Sequence, residues 1–124
     1  MSVLTEEELV ALLNSDVRGK FHTKVVGTSF RDQTVIDSVQ TGEFFVLLPE
    51  LDNEHDADAV MVVRNGDSAH VGYVSRDYNK RIKQQILQGS RFIARATVTG
   101  QDKENKGINL QVLQFDGEPV KVEA

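Results

Sequence analysis

Residues 58–74 read "DAVMVVRNGDSAHVGYV". Two runs rich in β-branched and apolar residues, "AVMVV" and "HVGYV", face each other across the polar stretch "RNGDSA". Each run is too short for a typical helix and suits a buried strand. Asn65-Gly66 between them is a strong turn signal, so the segment predicts a β-hairpin.

Other segments repeat this strand grammar. "HTKVVGT" (22–28) is rich in β-branched residues and stops at a glycine-containing turn, and "GEFFVLLPE" (42–50) is a continuous apolar run closed by Pro49. "RFIARATVTG" (91–100) alternates Phe92, Ala94, Ala96 and Val98 with Arg91, Ile93, Arg95 and Thr97, which puts the first set inward and the second outward. "GINLQVLQF" (107–115) alternates in the same way and is predicted to pair with 91–100 across the polar loop "QDKENK". Between the hairpin and this pair, "SRDYNKRIKQQILQG" (75–89) predicts a helix. Ser75 fits the N-cap, Gly89 the C′ stop, and Tyr78, Ile82 and Ile86 an inward stripe. A second helix is expected over 5–14, where Thr5 and Glu8 fit a capping box and Leu4 and Leu9 a hydrophobic staple.

The expected fold is therefore mainly β with two α-helices (α+β): a small, closed OB-like or SH3-like barrel of about six strands. In this reading residues 1–20 are an N-terminal helix and polar hinge ("SDVRGK") packing on the barrel, 21–116 the barrel domain, and 117–124 a C-terminal tail.

A chain of 124 residues, 40% hydrophobic and 27% charged, suits one globular domain. It has no cysteine, which excludes disulfides and thiolate zinc sites. No apolar run approaches the ~20 residues of a membrane span, and "MSVLTEEELV" lacks a basic signal-peptide start, so a cytoplasmic protein with no membrane partner is expected. Net charge is −5, unevenly distributed. Residues 1–72 carry 5 Lys and Arg against 13 Asp and Glu, whereas residues 73–106 carry 8 against 3. Local field rather than total charge attracts a phosphate backbone, so the net charge does not exclude nucleic acid.

The segment before the hairpin, "LDNEHDADAV" (51–60), concentrates Asp52, Glu54, Asp56 and Asp58 with Asn53 and His55. As a calcium loop it lacks the glycine at the sharp turn and the distal bidentate Glu, and a strand follows at once. The histidines at 22, 55 and 70 match no zinc spacing. Serine-nucleophile and phosphate-loop motifs are missing, so no catalytic residue, metal or cofactor is assigned and a metal-dependent hydrolase ranks last. A polar turn whose Asp and Asn side chains bond to backbone N–H groups accounts for the composition.

Three pieces of this chain resemble the HIRAN domain family between Phe21 and Phe115. "KVVGTSF" is similar to the family's opening strand and its V-x-G-[hydrophobic]-x-[aromatic] turn. "LLPELDNEHDADAVMVV" is similar to the signature L-x-x-E-P-x-N-P-x-D-x-x-A-I-x-V, with Glu50, Asn53, Asp56, Ala59 and Val60 in register. "HVGYVSRDYNKRIKQQILQG" resembles the strand I-G-Y-[IVL]-P-[KR] that runs into a glycine-ended helix. Ser29, Glu54, His55 and Ser75 depart from the pattern.

The resemblance implies an OB-like barrel that captures the 3′ end of single-stranded DNA. An ionised Asp is an acceptor only and a terminal 3′-hydroxyl is a donor, so Asp56 is the expected contact. Phe30, and more weakly His55, are expected to stack on terminal bases. Asn53 is expected to orient the loop or bond a base edge, and Tyr73, Arg76 and Lys80 to meet phosphates. With no ATPase motor in this sequence, a helicase or nuclease chain is the expected protein partner. A protein-interaction domain of the same fold without DNA binding is the alternative.

Overall fold

The computed structural model describes residues 2–99 and 107–116. Six strands, β1 (Val17–Val26), β2 (Phe44–Pro49), β3 (Val60–Arg64), β4 (His70–Val74), β5 (Arg91–Thr99) and β6 (Ile108–Phe115), close into an antiparallel barrel in the order β1-β4-β3-β2-β5-β6. Three helices decorate it: α1 (Glu6–Leu13), α2 (Gln33–Ser38) and α3 (Asn79–Leu87). The expected loop "QDKENK" and the tail 117–124 lie outside the described residues.

The barrel follows from side-chain alternation. Val25, Phe45, Leu47, Val60, Val62, Phe92, Ala94, Leu110 and Val112 point inward and merge into one core. Phe45 and Phe92 are essentially sealed from solvent, and burial of each stabilises the fold by roughly 1.5–3 kcal/mol. Gly72 lies where β4 crosses β1: at φ +156°, a Cβ there would stand 2.5 Å from both Val25 Cγ1 and the Val26 carbonyl oxygen. The close approach admits no side chain. Beside it, Val62 pairs with Gly72 and Val63 with His70, leaving Val71 as the extra residue of a β-bulge.

Four sequence expectations are corrected. Residues 17–20 are not hinge but the first part of β1, paired to Phe115 through Leu113 of β6. Their polarity reflects outward-facing Arg18 and Lys20 rather than a break in structure. Ile93 is not on a solvated face: α1 lies over the outside of the sheet and seals Ile93, Val46 and Phe115 with Leu4 into a second cluster. The predicted hairpin forms, β3 pairing antiparallel with β4 across a four-residue turn. The turn spans 65–68, closed by Arg64 N–H to Ala69 O at 2.8 Å and Ser68 N–H to Arg64 O at 2.9 Å, with Ser68 rather than Gly66 at positive φ. The third helix begins at Asn79 with Tyr78 as its cap, while Ser75 Oγ only accepts from Asp77 N–H in the preceding turn. Tyr78 consequently leaves the core stripe, standing 42% exposed with its ring 5.4 Å from that of Phe21. Helix α2, capped by Asp32 on Thr34 N–H, is additional to the two helices expected.

The N-terminal capping box is present, with Thr5 and Glu8 bonding reciprocally. Asn65 has a role beyond the turn. Its side chain accepts from Leu4 N–H at 2.8 Å and donates to Leu4 O at 3.2 Å, and its carbonyl accepts from Val3 N–H at 3.1 Å. Buried at 9% exposure, it clasps the segment before α1 to the hairpin.

Candidate functional site

A cavity of about 470 Å³ opens between the turn after β1, the acidic loop before β3, the end of β4 and the start of α3. Phe30, Asn53, His55, Asp56, Tyr73 and Arg76 all line it, joined by Val26, Gly27, Arg31, Ala59, Val74 and Asn79. Lys80 does not line it, being exposed on the first turn of α3.

Phe30 is presented by backbone geometry. Gly27 takes the left-handed φ of +76°, which turns the chain out of β1 and into a single 3₁₀ turn over Thr28–Phe30. Phe30 N–H bonds to Gly27 O, Arg31 N–H to Thr28 O, and the Gln33 amide to both Thr28 O and Arg31 O. The turn is thus fixed while the ring stands 88% exposed at the cavity rim.

The acidic loop is built around Asn53. Its Oδ1 accepts from the N–H groups of His55 and Asp56 at 2.8 and 2.9 Å, and its Nδ2 donates to Glu50 Oε1 at 2.7 Å. Those bonds give Asn53 the loop-orienting role. Asp56 Oδ1 then accepts from Asp58 N–H, and Oδ2 from Asn79 Nδ2, both at 2.9 Å. Arg76 Nε lies 3.6 Å from the same Oδ2, but its side chain is 79% exposed and the attraction is weak. Each carboxylate oxygen keeps a lone pair for a further donor. Asp58 faces Lys83 at 3.7 Å, and Lys83 also donates to Ala57 O at 2.6 Å, tying the loop to α3.

On the cavity floor the Tyr73 hydroxyl donates to Glu50 Oε1 at 2.9 Å. Burial, and then that bond, push the phenol above its ordinary pKa. With its proton committed, Tyr73 offers a ligand its ring and an acceptor lone pair. The His70 ring meets Tyr73 edge-on with centroids 4.8 Å apart and donates from Nε2 to Gly72 O. Burial is the main cause holding His70 below its ordinary pKa, with the Arg31 charge adding to it. Arg31 Nε donates to His70 O at 3.1 Å, which plants a guanidinium in the cavity wall.

Sequence reasoning passed over three of these residues. Glu50 stood in register with the family signature but carried no role, Arg31 directly follows the assigned aromatic, and Asn79 was assigned no role in the expected helix. Among the described residues no three His, Asp or Glu side chains converge to hold a cation. No helix among them is long and apolar enough to cross a membrane.

The HIRAN domain family model matches residues 18–114. A crystal structure of a protein from Lactobacillus plantarum superposes with a TM-score of 0.66 at 24% identity, covering 79% of this chain and 99% of that one. The crystal structure of the HIRAN domain of human HLTF superposes with a TM-score of 0.64 at 17% identity, covering 82% and 79%. No curated protein matches the sequence.

Proposed function

We propose, because this chain belongs to the HIRAN domain family of nucleic-acid-binding modules, that it binds single-stranded DNA by its 3′ end in the cavity between Phe30 and Asp56. In this reading the domain binds and does not catalyse, and a helicase or nuclease chain supplies any reaction on the DNA.

The observation that carries the reading is the pairing, within one cavity, of a solvent-exposed aromatic ring with a pinned carboxylate. Stacking of an unpaired base on Phe30 contributes on the order of 1–3 kcal/mol. The terminal 3′-hydroxyl donates to Asp56, each of whose carboxylate oxygens keeps a lone pair beside the bonds from Asp58 and Asn79. A phosphate in that position would meet a like charge, so a free end is favoured over a continuing strand. Arg31 and Arg76 supply positive charge at the cavity wall for the preceding phosphate.

Titration of labelled oligonucleotides ending in a 3′-hydroxyl, a 3′-phosphate or a blocked terminus tests this. Tighter binding of the 3′-hydroxyl form, erased by Asp56→Ala, is expected. Equal affinity for all three termini would sink end recognition.

A further inference from the structure

We propose that the outer face of β1, β6 and β5 is a second nucleic-acid contact surface, a track for the DNA backbone leading away from the cavity. The proposal rests on the reading of the cavity as a strand-end site and adds where the rest of the strand lies.

Strands β1, β5 and β6 contain five Lys and Arg residues, one His and no Asp or Glu, in a chain whose net charge is −5. Alternation and register collect the outward-facing members. His22 pairs with Gln111, and Gln111 with Arg95, forming one rung across the three strands. Lys24 pairs with Asn109 on one side of that rung, and Lys20 with Leu113 on the other. Lys20, His22, Lys24 and Arg95 are all exposed. Among the described residues, helix α1 packs on the sheet around Ile93 and Leu113, away from the rung of His22, Gln111 and Arg95. Among the described residues, ion pairs engage Arg18, Arg64, Arg76 and Lys83 but not Lys20, Lys24 or Arg95.

Three features favour a nucleic-acid strand over another polyanion. The row Lys20, His22, Lys24 continues on the same face to Val26, which lines the cavity. Lys20, His22 and Lys24 follow one another at about 7 Å, two residues at ~3.3 Å each, a regular spacing that the phosphates of an extended strand can follow. Between the cations stand Asn109 and Gln111, whose amides both donate and accept, as base edges and sugars require. The sequence hides this surface because its cations come from both the acidic and the basic block.

The test compares wild type with the triple variant Lys20→Glu/Lys24→Glu/Arg95→Glu, by anisotropy on 3′-hydroxyl oligothymidylates from tetramer to hexadecamer. Wild type is expected to gain at least about tenfold in affinity with length, and the variant to bind the tetramer normally but lose that gain. Three lost phosphate contacts at ~0.7 counterions each should lower the salt slope by about 2. A variant that keeps the length gain and slope overturns the proposal, as does a wild type with no length gain. Competition by polyglutamate as effective as by oligothymidylate overturns the assignment to nucleic acid. A wild type blind to the 3′ terminus, with a length gain the variant loses, refutes the cavity reading and upholds the track.

Discussion

The Asn79 amide donates to Asp56 Oδ2 at 2.9 Å across 23 positions of sequence, locking the acidic loop to the first turn of α3. Asn79 is only 4% exposed, so its polar group depends on this bond for compensation. Asn79→Ala should destabilise the fold by about 1–3 kcal/mol through the unmet hydrogen-bonding capacity left behind. With one anchor lost, Asp56 should also discriminate 3′-hydroxyl from 3′-phosphate ends less sharply. Thermal melting and the two titrations check both halves, and an unchanged melting temperature would contradict the locking role.

Phe30 predicts the opposite combination. Its ring is 88% exposed and contributes little to the core, so Phe30→Ala should leave the melting temperature within about a degree. Binding of single-stranded DNA should weaken by ~1–3 kcal/mol, roughly 5- to 150-fold, as expected for one lost stacking platform. Equal affinity of the variant and wild type would remove the aromatic from the site.

Most of the barrel was legible in the sequence because strand alternation is a local signal. Phe92, Ala94 and Ala96 point inward as their period of two requires. Ile93 defied that pattern only because α1 covers the outer face, a tertiary fact that no window of β5 contains. Helix α3 shows how one residue shifts a site: the inward stripe runs through Asn79, Ile82 and Ile86 rather than Tyr78, Ile82 and Ile86, since spacings of three and four both satisfy a helix. That shift is what delivers Asn79 to Asp56. Six of the seven residues singled out from sequence line one cavity, whereas Glu50 and Arg31 act through partners remote in sequence, Tyr73 and His70.

Gly72 tests the packing of the barrel. A methyl group at this position would collide with the Val26 carbonyl and with Val25, at a φ unsuited to an L side chain. Backbone and side chain must both shift, so Gly72→Ala should cost at least about 2 kcal/mol. Chemical denaturation would register the loss, while the exposed Gly66→Ala, where nothing lies within 4 Å, should be nearly neutral and serves as control.

The Asn65 clasp makes the N-terminal segment separable from the barrel. Asn65→Ala removes both side-chain bonds to Leu4 while leaving the carbonyl bond from Val3. A loss of about 1–3 kcal/mol is expected, with faster amide exchange concentrated in residues 3–13. Exchange that quickens uniformly over the chain would show that the segment does not open on its own.

Acidification should weaken the fold in two separate windows. The His70 ring sits below its ordinary value of 6.5, chiefly through burial and then through the Arg31 charge. The unfolded chain therefore takes up a proton at a higher pH than the folded one, so stability is fully present above about pH 6.5 and declines as pH falls below it. Asp67 is depressed from 3.8 to about 2, first by its hydrogen bond with Arg64. Its contribution is intact above pH 3.8 and disappears as pH falls toward 2, and the side chain's 52% exposure makes the effect modest. Urea midpoints should thus decline between pH 7 and 5 and again below pH 4. His70→Gln keeps a side-chain donor near Gly72 O but cannot titrate, so it should flatten the upper window and leave the lower one in place. A pH profile of His70→Gln that still declines between pH 7 and 5 would assign that limb to another group.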